Sequence, residues 1–150
     1  MLALRTFSKI YGLAGLRVGY GIGPADVVAA IRKVQRAFDV TTPAQEAALA
    51  SLDGVAELAR RRAVNRESMA ALESVLRAHG FDPIGPAVGN FLFVDVGTDA
   101  DALNDALLHR GVIVRPMGSF GAPSALRISA GTPDEIAFLG AQLASVLAPT

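Results

Sequence analysis

A glycine-rich segment at residues 6–23 limits the fold of this chain more than any other feature. It places Gly12 and Gly15 between two runs with β-strand character, residues 2–8 and residues 16–23. Glycine allows a loop to adopt backbone conformations that other residues avoid. Three further glycines alternate along the second run, and glycine in a strand often marks the close approach of another backbone or a ligand. We therefore predict a strand, a loop that can pass close to a ligand, and a returning strand.

Lys9 stands out in this segment because lysine is rare in the chain. Lysine and arginine together number 14, and only Lys9 and Lys33 are lysines. A guanidinium stays charged, whereas a desolvated ammonium can lose its proton and become a nucleophilic amine. Hydroxyl groups of Thr6 and Ser8 are close in sequence, and Arg17, at the start of the returning strand, offers a planar fork to a phosphate. The pattern predicts a cofactor with an aldehyde and a phosphate, and pyridoxal phosphate is such a cofactor.

The whole lysine segment is far more specific than any single residue in it. Residues 5–9 (RTFSK) and 12–20 (GLAGLRVGY) resemble the lysine region of the class I and II pyridoxal-phosphate aminotransferases of fold type I. More narrowly, they resemble the histidinol-phosphate aminotransferases. The resemblance implies an α/β fold, namely the C-terminal part of a fold-type I transferase: the end of the large-domain sheet, residues 1–52, followed by the small α/β domain, residues 53–150.

The resemblance also implies roles for residues of this segment. Lys9 would form the Schiff base with pyridoxal 5'-phosphate and then move a proton between the substrate α-carbon and the cofactor. Ser8 and Arg17 would bind the cofactor phosphate. Thr6 is a further candidate, on the same strand face as Ser8 but further from the loop.

A second candidate site lies near the C-terminus. Arg127 stands between Leu126 and Ile128, whose side chains point the opposite way in a strand, so they can face a core while Arg127 faces a cleft. An exposed arginine on an edge strand is the alternative. The resemblance implies that Arg127 binds the substrate carboxylate, and that Arg115 in a buried strand and Asn90 at the start of another also bind substrate. For Asn90 the alternative is a turn residue that starts the strand.

Hydrophobic periodicity and capping residues predict the remaining elements. One helix opens after Gly23 and carries apolar residues at helical spacing as far as Phe38, and Asp53 caps a long helix that ends before Gly80. Arg61 and its neighbours form the solvated face of that helix, paired with glutamates. The other predicted helices cover residues 43–52, 99–110 and 132–147, and the other strands cover residues 90–96, 111–116 and 126–130.

Composition excludes several classes of function. The net charge is zero, which does not indicate a nucleic-acid-binding surface. No apolar run has the length of a membrane span, and without cysteine there is no disulfide or thiolate metal site. No metal site is predicted, and the cytoplasm is the expected compartment. The expected partners are small amino-acid and keto-acid substrates and, by resemblance, a second copy of the chain in a homodimer.

The family's enzymes are longer than this chain, so we expect a C-terminal fragment or the product of a truncated reading frame. The aspartate that pairs with the cofactor's pyridine nitrogen has no matching position here. The leading interpretation is amino transfer between L-histidinol phosphate and 2-oxoglutarate in histidine biosynthesis. The alternatives are an aminotransferase for aromatic or branched amino acids, a decarboxylase of the threonine-phosphate type, an inactive fragment, and a sensor domain of the kind fused to winged-helix regulators.

Overall fold

The computed structural model describes residues 1–97 and 99–148, which form α-helices and antiparallel β-strands. The chain divides into two compact units, Met1–Arg62 and a second unit from Ala63 onward. The predicted α/β fold class is confirmed. The division between the two units falls inside one long helix, whereas the assignment of residues 1–52 and 53–150 to family domains stays a prediction.

The first unit begins with the predicted strand, loop and strand. Strands β1 (Ala3–Thr6) and β2 (Gly19–Ile22) pair in antiparallel register, and both are shorter than predicted. A Cβ atom added at Gly19 would lie 2.6 Å from the backbone carbonyl oxygen of Arg5. The two backbones therefore approach too closely for any other residue at this position, which confirms the reason for expecting glycine in the second strand.

Helix α1 (Ala25–Val34) follows β2, and it is shorter than its apolar pattern predicts. Phe38 lies outside the helix, with a φ of +64° and 96% of its surface exposed. Its inclusion in the apolar stripe of α1 was wrong. The helix ends at Gln35, whose extended backbone (ψ 131°) cannot continue the turn.

Helix α2 (Thr42–Leu52) starts where the Thr-Thr-Pro sequence predicts. The side chain of Thr41 accepts a hydrogen bond from the Ala44 backbone N–H at 3.4 Å, and proline occupies the first turn. The buried residues of this unit come from the lysine segment and from α2. They are Phe7, Val18, Ala44 and Ala48.

The long helix α3 (Val55–Ala78) is present, but its predicted N-cap is wrong. Asp53 has helical backbone angles (φ −79°, ψ −11°) and ends α2 instead. An N-cap residue needs an extended backbone, so Asp53 cannot serve α3 in that role. At the other end, Gly80 adopts a φ of +83° and donates its N–H to the Arg77 carbonyl at 3.0 Å, as expected of a glycine that terminates a helix.

The second unit contains a four-stranded antiparallel sheet with the strand order β3-β4-β6-β5. Its strands are β3 (Pro83–Ile84), β4 (Phe91–Asp95), β5 (Arg115–Met117) and β6 (Ala122–Ser129). The sequence did not predict β3, and it placed the start of β5 too early and the start of β6 too late. β5 starts late because the Val112 N–H donates to the Leu107 carbonyl at 3.0 Å and so terminates the preceding helix rather than joining the sheet.

Two short polar motifs start the helices that accompany this sheet. The side chain of Asp99 accepts hydrogen bonds from two backbone N–H groups of α4 (Ala100–Leu108). Thr132 caps α5 (Pro133–Leu147), as the Thr-Pro-Asp-Glu sequence predicts, and the structure adds a reciprocal capping box between Thr132 and Glu135. The Thr132 backbone and side chain donate to Glu135 and hold the pKa of its carboxyl below its ordinary value.

One face of the sheet is buried against helices α3, α4 and α5. Each buried leucine stabilises the fold by about 1.5–3 kcal/mol relative to an exposed one. The largest fully buried side chains are Leu72, Leu76, Val94, Leu107, Leu126 and Leu143. On the opposite face, Phe91, Asp95 and Ser129 are exposed. Among the helices that the structure describes, none combines the length and apolar character that crossing a membrane requires.

Candidate functional site

Phe7 anchors the lysine loop to the first unit. Its side chain is 5% exposed, its N–H donates to the Val18 carbonyl at 3.2 Å, and its carbonyl accepts from the Leu13 N–H at 3.0 Å. Aromatic contacts add to this, with ring centroids 4.7 Å from Tyr11 and 5.9 Å from Tyr20. The loop is thus closed at its base by hydrogen bonds to one buried residue.

Lys9 lies two residues beyond this anchor, with its side chain exposed. Its carbonyl accepts a hydrogen bond from the Gly12 N–H at 2.9 Å, which closes a tight turn directly after the lysine. Thr6 Oγ1 accepts the backbone N–H of Ser8 at 3.0 Å, so Thr6 stabilises the turn in which the half-buried Ser8 lies. Thr6 is the last residue of β1 and Ser8 lies beyond the strand, so the prediction that Thr6 and Ser8 share a strand face is wrong. The three predicted residues nevertheless lie together where the chain leaves β1.

Arg17 does not begin the returning strand, contrary to prediction. It ends a 3₁₀ turn (Ala14–Leu16) in the left-handed backbone conformation, with φ 53° and ψ 43°. Its Nη1 donates to the Ala14 carbonyl at 2.8 Å, which uses one of the five N–H donors of the guanidinium. The exposed side chain is thereby oriented by the loop rather than by the sheet.

The donor set of this loop suits a cofactor with an aldehyde and a phosphate. Lys9 supplies a primary amine, Ser8 a hydroxyl group and Arg17 a planar guanidinium. A guanidinium binds phosphate oxygens through parallel N–H···O bonds. All three side chains belong to one loop whose backbone is held by the Phe7 hydrogen bonds, so the chemistry of the set fits pyridoxal phosphate.

Arg61 also contributes to this loop, which the sequence did not indicate. The Arg61 Nη1 group of α3 donates to the carbonyl oxygen of Ile10, the residue after Lys9, at 2.7 Å. Its Nε donates to Glu57 at 2.8 Å. Hydrogen bonds from Arg60, which contributes most, and from Arg61 lower the pKa of Glu57 to about 2. The pairing with glutamate was expected, but the contact with the lysine loop had no local sequence signal.

Arg127 lies in β6, an interior strand bonded to β4 and β5, so the edge-strand alternative is wrong. Leu126 and Ile128 are 1% and 4% exposed, and they face the core as predicted. The Nε of Arg127 is buried and has no hydrogen-bond partner among the residues that the structure describes. Its guanidinium carbon lies 5.0 Å from the ring centroid of Phe91, within the range of a cation–π contact.

Arg115 is exposed on the edge strand β5, not buried as predicted. It is the direct cross-strand partner of Arg127. Residues opposite each other in an antiparallel pair project from the same face, so the structure brings these two predicted arginines together. That face is the one that the helices leave uncovered.

Asn90 is exposed and immediately precedes β4. Its carbonyl accepts the Ala130 N–H at 2.9 Å, one residue beyond β6. The preceding carbonyl, of Gly89, accepts a hydrogen bond from the Asn65 side chain at 3.1 Å. Asn90 is therefore the residue before the strand, and hydrogen bonds hold its own carbonyl and that of Gly89. The alternative that Asn90 is a turn residue stays open.

The two sets of predicted residues belong to different units. Thr6, Ser8, Lys9 and Arg17 share the loop of the first unit, and Asn90, Arg115 and Arg127 belong to the second. A cavity of about 480 Å³ in the second unit is lined by residues around Ile128 and Phe138, and by none of the predicted arginines. The chemistry therefore points to the lysine loop and the arginine pair rather than to this cavity. No cluster suited to a metal ion occurs among residues 1–97 and 99–148.

Comparison with known proteins gives matches along almost the whole chain. The family model described as aminotransferase class I and II matches residues 1–140. The chain is 46% identical over 151 aligned residues to histidinol-phosphate aminotransferase 2 of Ralstonia nicotianae, covering 99% of this chain and 40% of that protein. It is 48% identical over 148 residues to histidinol-phosphate aminotransferase 1 of Thiobacillus denitrificans, covering 99% and 38%.

The fold of this chain is also similar to that of a solved aminotransferase structure. The crystal structure of histidinol-phosphate aminotransferase from Sinorhizobium meliloti, in complex with pyridoxal-5'-phosphate, matches with a TM-score of 0.88 and 31% identity. The match covers 97% of this chain and 40% of that one. The chain therefore spans about two fifths of the length of the proteins that it matches.

Proposed function

Because this chain belongs to the aminotransferase class I and II family, we propose that it contributes the cofactor-binding lysine and the substrate-binding arginines of a histidinol-phosphate aminotransferase. The resemblance first read from the lysine segment is confirmed at the level of the family. The proposed reaction exchanges the amino group of L-histidinol phosphate for the keto group of 2-oxoglutarate. Identities of 46% and 48% to two proteins named for this activity support the choice of substrate.

Lys9 is the proposed catalytic residue. Bound pyridoxal phosphate supplies an aldehyde that captures amines and a ring that accepts electrons. Lys9 Nζ holds the cofactor in the resting state and, once free, takes and returns a proton at the substrate α-carbon. Lys9 is exposed in this chain rather than desolvated, so its burial does not support the role. Its position beside a closed turn does, since the amine can reach a ligand from a hydrogen-bonded backbone.

Ser8 and Arg17 are the proposed ligands of the cofactor phosphate, with Thr6 as a supporting residue. The Arg17 hydrogen bond to Ala14 limits the freedom of the guanidinium. A donor that is already oriented loses less entropy when it binds an oxyanion. Thr6 acts through the Ser8 backbone, because its hydroxyl oxygen accepts the Ser8 N–H.

Arg127 and Arg115 are the proposed anion-binding pair for substrates, and Asn90 is a proposed polar contact beside them. The observation that carries this assignment is the unpartnered, buried Nε of Arg127 beside a second arginine on an uncovered sheet face. Histidinol phosphate carries a phosphate and 2-oxoglutarate carries two carboxylates, so both substrates present oxyanions suited to guanidinium groups.

The proposal includes the setting of the reaction. We assign residues 1–52 to the end of the large domain of the family fold and residues 53–150 to its small domain. The proposed compartment is the cytoplasm, and the proposed assembly is a homodimer. Sedimentation of the purified chain at several concentrations tests the assembly.

The lysine assignment is tested by adding pyridoxal phosphate to the chain and recording the visible absorption of the lysine-bound cofactor. Lys33 is a matched control because it is the only other lysine. We expect the absorption band in the wild type and in Lys33→Ala, and its loss in Lys9→Ala. Borohydride reduction followed by peptide mapping should place the cofactor on Lys9. Identical spectra for Lys9→Ala and the wild type would contradict the assignment.

Substrate choice is tested separately, by following the loss of the same absorption band when an amino donor is added. We expect histidinol phosphate to react at lower concentration than aromatic or branched amino acids. An aromatic amino acid that reacted at the lower concentration would replace histidinol phosphate as the proposed donor and leave the role of Lys9 intact.

A further inference from the structure

We propose that Arg61 is a positioning residue for Lys9, acting through the backbone of the turn that follows the lysine. The inference rests on the proposed function of Lys9. Its starting point is the hydrogen bond from Arg61 Nη1 to the carbonyl oxygen of Ile10, at 2.7 Å and across 51 positions of sequence. A hydrogen bond from a charged donor is stronger than a neutral one, so this contact ties α3 to the lysine turn.

Glu57 orients the Arg61 guanidinium for this contact. Arg61 Nε donates to Glu57 Oε1 at 2.8 Å, one helical turn away on α3. A planar guanidinium that is held at Nε keeps its remaining N–H groups in fixed directions. The Nη1 group is thereby directed at the Ile10 carbonyl, and the side chain is half-buried, with 39% of its surface exposed.

Gly12 leaves the space that Arg61 occupies. A Cβ atom at Gly12 would lie 3.1 Å from Arg61 Nη1, closer than most real contacts, and the glycine has a φ of +75°. The Gly12 N–H also donates to the Lys9 carbonyl at 2.9 Å. The same glycine thus closes the lysine turn and admits the guanidinium beside it.

Lys9 is consequently held between two fixed points of the backbone. Phe7 is anchored by the Val18 and Leu13 hydrogen bonds, and Ile10 is anchored by Arg61. Without the second anchor, the turn would be tied to the unit by the hydrogen bonds at its base and by the contact of Tyr11 with Phe7, and the Ile10 carbonyl would be released. Because chemistry at a bound cofactor depends on placing the amine within a fraction of an ångström, the second anchor has a direct consequence for function.

Arg60 is a control that distinguishes the proposed role of Arg61 from that of an ordinary surface ion pair. Arg60 binds the same carboxylate, with Nε at 2.7 Å from Glu57 Oε2, but it forms no hydrogen bond to the lysine loop among the described residues. Exposed ion pairs typically stabilise a protein very little. A comparison of Arg60 and Arg61 variants therefore isolates the contact with the loop.

The first experiment measures hydrogen exchange of the Gly12 and Leu13 amides in the chain without cofactor. Both amides are hydrogen-bonded within the lysine loop. We expect Arg61→Met to speed their exchange on the order of tenfold, the effect of losing one hydrogen bond to a charged group. Arg60→Met should leave their exchange within about twofold of the wild type. Equal exchange in the two variants would overturn the inference.

The second experiment titrates pyridoxal phosphate into each variant and follows the visible band. Arg61→Met should weaken cofactor affinity on the order of tenfold, because the lysine must be ordered on binding. Arg61→Lys should recover part of the loss, since an ammonium can donate to the Ile10 carbonyl but lacks the planar fork. Full affinity in Arg61→Met would overturn the inference.

Failure of the proposed function gives a different pattern. A band that persists in Lys9→Ala would refute the role of Lys9 in cofactor binding. The exchange comparison of Arg61→Met with Arg60→Met does not use the cofactor, so it still decides whether Arg61 holds the turn.

Discussion

Arg115 and Arg127 lie directly opposite each other on the antiparallel strands β5 and β6. Neither forms a salt bridge within the residues that the structure describes. Like charges opposite each other destabilise a sheet by roughly 0.2–1 kcal/mol. Repulsion between the two guanidinium groups therefore lowers the stability of the free chain, and an anion bound between them would offset it.

The first prediction concerns Arg115→Gln. Removing one of the two facing charges should leave the free energy of unfolding unchanged or raise it by about 0.2–1 kcal/mol. Inorganic phosphate should raise the thermal midpoint of the wild type more than that of Arg115→Gln, measured against chloride at equal ionic strength. Equal stabilisation of both proteins by phosphate would contradict the paired anion site.

The second prediction concerns Arg127→Met. A buried donor without a partner costs about 1–3 kcal/mol, whereas the contact with Phe91 is worth about 0.5–1 kcal/mol. Methionine keeps an unbranched apolar stem, so the free energy of unfolding should rise in this variant while the response to phosphate disappears. Urea unfolding with and without phosphate measures both effects.

Arg127→Ala is the control for this prediction. It removes the same donor but also the packing of the stem against the sheet, so it should be less stable than Arg127→Met. If methionine destabilised the chain as much as alanine does, the unpartnered Nε would not be the cost that we assign to it.

The starts of α4 and α5 could be predicted from sequence because they depend on neighbouring residues, whereas the N-cap predicted for α3 was wrong. Thr132 and Asp99 cap their helices through side chains that reach N–H groups two or three positions away. The projection of Leu126 and Arg127 from opposite faces of the sheet was predicted for the same reason, because side chains alternate within any single strand. Lys9, Ser8 and Thr6 share a turn because they are adjacent in sequence.

Other features depend on contacts between distant segments. The exposure of Arg115 follows from the sheet order, which places β5 at the edge. The contact of Arg61 with Ile10 spans 51 positions, and neither residue type indicates it. Phe38 satisfied the helical spacing of α1, but the chain had already left the helix at Gln35.

The third prediction compares alanine at two loop glycines. Gly12→Ala places a Cβ atom 3.1 Å from Arg61 Nη1 and imposes a φ of +75° on alanine, whereas a Cβ atom at Gly15 meets nothing within 4 Å. We expect Gly12→Ala to lower the free energy of unfolding by about 1–2 kcal/mol and to weaken cofactor binding. Gly15→Ala should do neither. Chemical denaturation and titration with pyridoxal phosphate measure the two effects.

The fourth prediction tests the close approach of β1 and β2. A Cβ atom at Gly19 would lie 2.6 Å from the backbone oxygen of Arg5, whereas one at Gly21 would lie 3.2 Å from the movable side chain of Leu4. Gly19→Ala should therefore cost about 1–3 kcal/mol because two backbones must separate. Gly21→Ala should cost less because a leucine rotamer can adjust. Comparable losses of stability in urea would argue against the backbone contact as the cause.

The last prediction concerns the pH dependence of the Glu57 cluster. Hydrogen bonds from Arg60 and Arg61 lower the pKa of Glu57 from 4.5 to about 2 in the folded chain. A carboxyl whose folded pKa is depressed stabilises the fold above its unfolded pKa and loses that contribution as pH falls through the folded value. The wild type should therefore exceed Glu57→Gln in stability at neutral pH, and the difference should shrink as pH falls from about 4.5 towards 2. Urea unfolding of both proteins at about pH 7 and pH 3 measures the difference, which salt should reduce because Glu57 and its two arginines are exposed.

Glu46→Gln is the control, because Glu46 forms no salt bridge among the described residues. A gap between wild type and Glu57→Gln that stayed constant over this range would show that the arginines do not stabilise the ionised carboxyl.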